Sequence, residues 1–318
     1  MKKRWQAGDS TMEGLAILAV LMVIIFTMPK SHSTNTAPGS TVKSGGLSWL
    51  SSENYSPIKG STVQSSTDNN YSSIYLGTGN AAYSYQPYEE YITIENYGQS
   101  PIDITDWQLK NGKDKRPYYQ GGSLQRFSAD IAIIPRATRV LSPTGNNVFE
   151  NVVLSQGDRA IITTGSIGVT SPYRIVSFKE NMCTGYIENL SDYSFNPPLN
   201  TSCPNPGSEP GIENLPTDCR DAVRNLSSCQ TPRFENKDSN GEPCDTCLGG
   251  KRLPTYCAAF IKEHFTYQGC LANHLNDRNF SGNTWRIFLG RGWEMWNKDY
   301  ETVELFNKLG QLVTFQNY

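Results

Sequence analysis

Glu90-Tyr-Ile-Thr-Ile-Glu-Asn96, then a Tyr97-Gly-Gln-Ser-Pro101 turn, then Ile102-Asp-Ile-Thr-Asp-Trp-Gln-Leu109 is the stretch that decides the fold. Ile92 and Ile94 fall on one side of the first segment and Tyr91, Thr93 and Glu95 on the other, the period-two pattern of a strand with one buried face. In the second segment Ile102 and Ile104 are out of phase with Trp107 and Leu109, which predicts a bulge or kink near Thr105 and Asp106. Outward from these, short strands are expected at residues 73–76, 131–134, 139–141, 159–163 and 285–289, with Trp293 and Trp296 returning to the same core. Short strands at regular intervals, divided by Gly, Pro, Asn and Ser, predict a mainly β sandwich or barrel.

Composition agrees. The 318 residues include 27 Gly, 18 Pro and 17 Tyr, which argues against a helical bundle. The net charge of -2, from 28 basic and 30 acidic residues, leaves no global basic field to attract nucleic acid or anionic lipid, so any such binding is local.

Residues 90–98 followed by 102–109 resemble the opening of lamin-tail domains, in which a strand of this pattern precedes one bearing a buried Trp. Leu154-Ser-Gln-Gly-Asp-Arg-Ala-Ile-Ile162 is similar to the loop and strand before the middle of that fold, and Glu301-Thr-Val-Glu-Leu-Phe-Asn-Lys-Leu-Gly-Gln-Leu-Val-Thr-Phe315 to its closing hairpin. The resemblance implies an immunoglobulin-like β-sandwich over residues 71–318, interrupted at 166–280 by a Cys-rich insertion of loops and short helices. In that insertion Thr217 and Asp218 are expected to cap one helix, and Pro254 to sit in the first turn of another. The arrangement is similar to exported bacterial lamin-tail proteins, which implies display at a cell surface and no particular reaction.

Residues 1–13 form a basic leader, expected in the cytoplasm, and 14–29 are the membrane candidate, Gly14 to Met28 being free of charge. Three fates are open: an uncleaved anchor, a signal peptide cut near Ser31-His32-Ser33, or a prepilin-type leader cut after Gly8 with Glu13 at the fifth mature position. The last would make the chain a pilin-like subunit of a surface or DNA-uptake filament. Residues 30–70 read as a flexible Ser/Thr/Asn-rich linker, and everything beyond the membrane segment is expected outside the cytoplasm.

Cys183, Cys203, Cys219, Cys229, Cys244, Cys247, Cys257 and Cys270 are all the cysteines of the chain. An even number confined to one segment beyond an export signal reads as a disulfide framework, with pairing left open. An alternative assigns Cys244, Cys247, Cys257 and His264 to zinc, the first two having CxxC spacing. Only three histidines exist (His32, His264, His274), and no nucleophile elbow, phosphate loop, dinucleotide fingerprint or zinc-protease motif appears, so neither catalysis nor a cofactor is expected. Lys110, Lys113, Lys115 and Arg116 beside Tyr118 and Tyr119 could grip single-stranded nucleic acid, but a solvated hairpin turn at Asn111-Gly112 is the favoured reading. The expected partners are the membrane, through residues 14–29, and a surface protein or polymer, for which Tyr83, Tyr85 and Tyr88 offer further aromatic contacts.

Overall fold

The structure, a computed structural model, describes residues 71–318 apart from 114, 115, 127, 169, 170 and 299. The leader, the membrane candidate and the linker therefore lie outside the described residues. Among those described, no helix is long and apolar enough to cross a membrane.

The first strands are β1 (Ile74–Gly77), β2 (Tyr91–Asn96), β3 (Ile102–Asp103), β4 (Gln108–Asn111), β5 (Pro117–Gln120), β6 (Ser123–Arg126) and β7 (Ile131–Ile133). There follow β8 (Ala137–Thr138), β9 (Phe149–Glu150), β10 (Val153–Leu154), β11 (Arg159–Thr163) and β12 (Phe178–Asn181). The Cys-rich segment contributes α1 (Gly185–Glu188), α2 (Thr217–Arg224), β13 (Glu235–Lys237), β14 (Pro243–Leu248), β15 (Lys251–Arg252), α3 (Thr255–His264) and α4 (Tyr267–His274). The chain closes with β16 (Ser281–Phe288), β17 (Thr302–Phe306) and β18 (Leu312–Asn317).

A seven-stranded sheet runs β1-β2-β11-β16-β12-β8-β9, and a four-stranded sheet runs β18-β17-β4-β7. Ile92 and Ile94 of β2, Ala160 and Ile162 of β11, and Trp285 and Ile287 of β16 point inward from the first sheet. Leu109, Ala132, Val303 and Leu305 from the second join them in one cluster, so the two sheets enclose a common core. The protein is mainly β, as expected.

The predicted kink is where the chain changes sheets. β3 pairs with β10, whereas β4 pairs with β7 and β17. Between them Asp106 takes φ 62°, and its amide donates to the Ile134 carbonyl at 3.0 Å. Trp107, packed edge-on against Tyr71 with ring centroids 5.3 Å apart, is thereby turned inward.

Four local expectations need correction. Residues 139–141 form no strand: the strand is Ala137–Thr138, and Leu141 instead enters a second core, where its carbonyl accepts from the Tyr267 hydroxyl at 2.8 Å. Residues 178–181, placed within the 166–280 insertion, are β12 of the main sheet, so the segment that leaves the sheet lies between Asn181 and Ser281. The N-caps of α2 and α3 are Pro216 and Pro254, with no side-chain cap bond, so Thr217 and Asp218 do not cap α2. Trp296 is buried, but Trp293 is exposed.

The second core explains why the strands at the centre of the large sheet lack a polar face. Phe178 of β12 packs with Leu141, Tyr186, Ile187, Val223, Ile261 and Phe265, and Phe288 of β16 borders the same cluster. The Cys-rich segment thus covers the outer face of the sheet at β16 and β12, and strands buried on both sides lose period-two alternation. Arg286, 3% exposed on that outer face, ion-pairs with Glu180 and donates from Nη1 and Nη2 to the carbonyls of Pro197 and Pro198, both at 2.6 Å. Glu180 also accepts from the amide of Asn200. Through its bonds to Pro197, Pro198 and Asn200 this buried pair ties the large sheet to the Cys-rich segment.

Candidate functional site

Four disulfides organise the Cys-rich segment: Cys183–Cys270, Cys203–Cys229, Cys219–Cys257 and Cys244–Cys247. All eight cysteines are paired, which settles the connectivity that spacing left open. The zinc alternative loses its ligand set, because Cys244 and Cys247 bond to each other, Cys257 bonds to Cys219, and His264 Nδ1 meets Glu209 at 3.2 Å. Among the described residues no cluster of His, Cys, Asp and Glu is arranged to hold a metal ion.

Beside these crosslinks lies a groove of about 920 Å³. One wall is α2, presenting Asp218, Asp221, Ala222 and Asn225. Cys219 is on the buried face of the same helix and ties it to α3. The opposite wall is the three-stranded sheet β13-β14-β15 and its approach, presenting Arg233, Leu248 and Lys251. The β14–β15 connection is a two-residue turn, Gly249 and Gly250, both at positive φ, so glycine there is a backbone requirement.

Tyr186, Leu190, Leu226 and Leu253 supply the apolar lining. Burial, with the nearby Glu209 charge second, pushes the Tyr186 hydroxyl well above the usual phenol range, so it stays neutral. The helix bearing Tyr186 packs unusually close to a disulfide: a Cβ at Gly185 would lie 2.3 Å from Cys229 Sγ. Asn189 adds a hydrogen bond from Nδ2 to the Cys229 carbonyl at 3.0 Å. The rim segment around residues 226–233 is therefore tied to Cys203 by the disulfide and to the C-terminal end of α1 by a hydrogen bond.

The electrostatics are bipolar. Asp221 forms a weak exposed pair with Arg224 at 3.9 Å, while Asp218, Arg233 and Lys251 form no ion pair among the described residues. The carboxylates of the lining come from α2 and its cations from the β13–β15 sheet and its approach, with leucines in the same lining. Such a cleft can hold a ligand with apolar body and separated polar ends, through walls that are already positioned.

Behind the groove is a polar cluster that sequence reading missed. Glu209, 2% exposed, faces His264 Nδ1 and His274 Nε2, and His274 Nδ1 meets Asp277 at 2.8 Å. Phe260 stacks on the His264 ring with centroids 3.9 Å apart. The four polar residues come from positions 209, 264, 274 and 277, a separation that leaves no local motif.

The basic loop does not gather into one strip. Lys110 belongs to β4 and lies 4.0 Å from Glu304, Arg116 lies 3.3 Å from Glu301, and Lys115 lies outside the described residues. Lys113 is half-buried in the turn between them. Asn111 is not the corner of a solvated hairpin: it is buried, with Nδ2 donating to the Met295 carbonyl at 2.7 Å. The hairpin here is β5–β6, turning at Gly121 and Gly122, and it carries Tyr118 and the strongly exposed Tyr119. Two of the cations are thus committed to acids of the β17 region. Elsewhere, Tyr83 and Tyr85 are exposed, with Lys298 Nζ over the Tyr85 ring.

Comparison with protein-family models, with curated proteins and with solved structures finds no match to this chain.

Proposed function

We propose that this chain is a membrane-tethered, extracytoplasmic binding module in which a lamin-tail-like, immunoglobulin-like sandwich displays a disulfide-stapled recognition segment. It acts by holding a partner and performs no turnover. The observation that carries the reading is the groove between α2 and the β13–β15 sheet, whose walls are fixed by crosslinks instead of by the main core. Four disulfides support residence in an oxidising compartment. The basic leader, the apolar residues 14–29 and the linker at 30–70 supply the tether. The cleft suits an apolar segment of a surface protein or polymer flanked by polar groups.

The test has two parts. Thiol blocking of the unreduced, denatured full chain followed by mass measurement should find eight protected cysteines; reactive thiols would remove the exported, stapled reading. The native chain is then applied to an array of soluble peptides and cell-surface polysaccharides, beside a Leu248→Arg variant that places charge in the groove. Captured probes should bind the variant at least about tenfold more weakly, equivalent to 1.4 kcal/mol. Equal capture by both proteins would move recognition away from the groove.

A further inference from the structure

The two sheets differ on their outer faces. That of the seven-stranded sheet is covered by the Cys-rich segment at β16 and β12, whereas that of the four-stranded sheet carries large apolar side chains in the open. Cross-strand partners share a face, so the register assigns the residues. One row reads Phe315, Glu304, Lys110, Ile131 across β18, β17, β4 and β7, and the next reads Leu312, Phe306, Gln108, Ile133. Phe315 is 55% exposed, Ile133 57%, Ile131 49% and Leu312 40%. Lys110 Nζ lies 5.9 Å from the centre of the Phe306 ring, so its stem extends the apolar surface. So many large apolar side chains in the open on one sheet face, flanking a charged centre, mark an interaction surface.

The pattern also specifies an occupant. Each row is apolar at both edges, and the first has an acid and a base side by side at its centre. We infer that this face is the interface of a two-fold dimer, occupied by the same face of a second copy. An axis parallel to the strands, midway between β17 and β4, brings β17 of one copy over β4 of the other. Glu304 then faces Lys110 of the second copy, Phe315 faces its Ile131, and Leu312 faces its Ile133. Every contact occurs twice, the requirement for a self-complementary interface that closes at two copies. The Lys110–Glu304 pair within each chain, 4.0 Å apart, becomes one side of a four-charge square in which unlike charges are neighbours. Two sheets stacked in this way pack as do the layers of a sandwich, about 10 Å apart.

The experiment uses the full chain in mild detergent, with its mass in solution measured by light scattering corrected for detergent. The native chain should contain two copies. Phe315→Lys with Ile133→Lys should weaken dimerisation at least about tenfold, since both changes place unpaired charge at the interface. Glu304→Lys alone should weaken it too, and Lys110→Glu added to Glu304→Lys should restore it, because the swap re-creates the square. Circular dichroism and an unchanged count of protected cysteines verify that each variant is folded; if the double-lysine variant fails this check, the charge-swap set alone decides. A monomeric native chain overturns the inference. So does a dimer indifferent to these substitutions, which would place association elsewhere, and so does an open series of larger assemblies.

Discussion

The two-sheet body and the segment between Asn181 and Ser281 are held together by different physics. In the body, ladders register Ile92, Ile94, Ala160, Ile162, Trp285 and Ile287 against the opposite sheet, without a single cysteine. In the segment, short helices and a three-stranded sheet are joined by four covalent links and pack on a separate cluster. A sheet converts local periodicity into a core. A loop-rich segment has too little regular structure to do so, and crosslinks that limit its unfolded state compensate.

The most severe way to break this comparison is to remove Cys183–Cys270, which spans 87 residues and joins the start of the segment to α4. Replacing both cysteines by Ser should lower stability by about 4 to 5 kcal/mol on the chain-entropy estimate. Hydrogen exchange should then rise across α2, α3 and α4 while β2 and β11 stay protected. Loss of protection in β2 at the same denaturant concentration would show that the two regions unfold as one unit.

The seam between them gives the next effect. Arg286→Leu leaves Glu180 buried without its cation and frees two prolyl carbonyls, so a loss of about 3 kcal/mol is expected in urea unfolding. Adding Glu180→Gln should return part of it, since the amide oxygen still accepts from Asn200 and no charge remains buried. If the pair of changes is no better than the first, the carbonyl bonds carry the seam and the charges do not.

The smallest effect is confined to the body. Glu90, fully buried, accepts from the amides of Met295 and Trp296, at 2.8 and 3.2 Å. Burial raises its carboxyl above the ordinary 4.5, the hydrogen bonds opposing only in part. The folded state therefore holds this proton to higher pH than the unfolded state does. Its contribution favours folding below the ordinary value and declines as pH rises through the folded one. Glu90→Gln should flatten the fall in stability above pH 4.5, read from urea midpoints at pH 5 and pH 7.5. An unchanged slope would assign the pH dependence to other groups.

What sequence made legible follows the same division. β2 was readable because its one buried face imposes alternation, and the change of phase at Asp106 correctly marked the crossing between sheets. β12 was hidden because Phe178, Glu180 and Asn181 are all buried, on two faces by two cores, so no period survives. Arg286 was hidden likewise, as a charge inside an apolar strand whose partner lies 106 positions away. The eight cysteines announced crosslinking, but their pairing depends on long-range geometry. The groove was illegible for the same reason: Asp218, Arg233 and Lys251 are ordinary surface charges until α2 and the β14–β15 turn are placed opposite each other.

One feature of the ladder reaches into how such a molecule arises and can be rebuilt. Asn181 and Ser281 are register partners on adjacent antiparallel strands, so the whole Cys-rich segment departs and returns through neighbouring points of the sheet. Topologically it is an overgrown hairpin loop. Lineages could lengthen, shorten or exchange it without rewiring a strand, and an engineer could transplant it between hosts or substitute a tight turn. The constraint on either is the face it shelters: Phe178 and Phe288 must be recoloured with soluble residues in the same step, or the vacated scaffold will cling to whatever it meets.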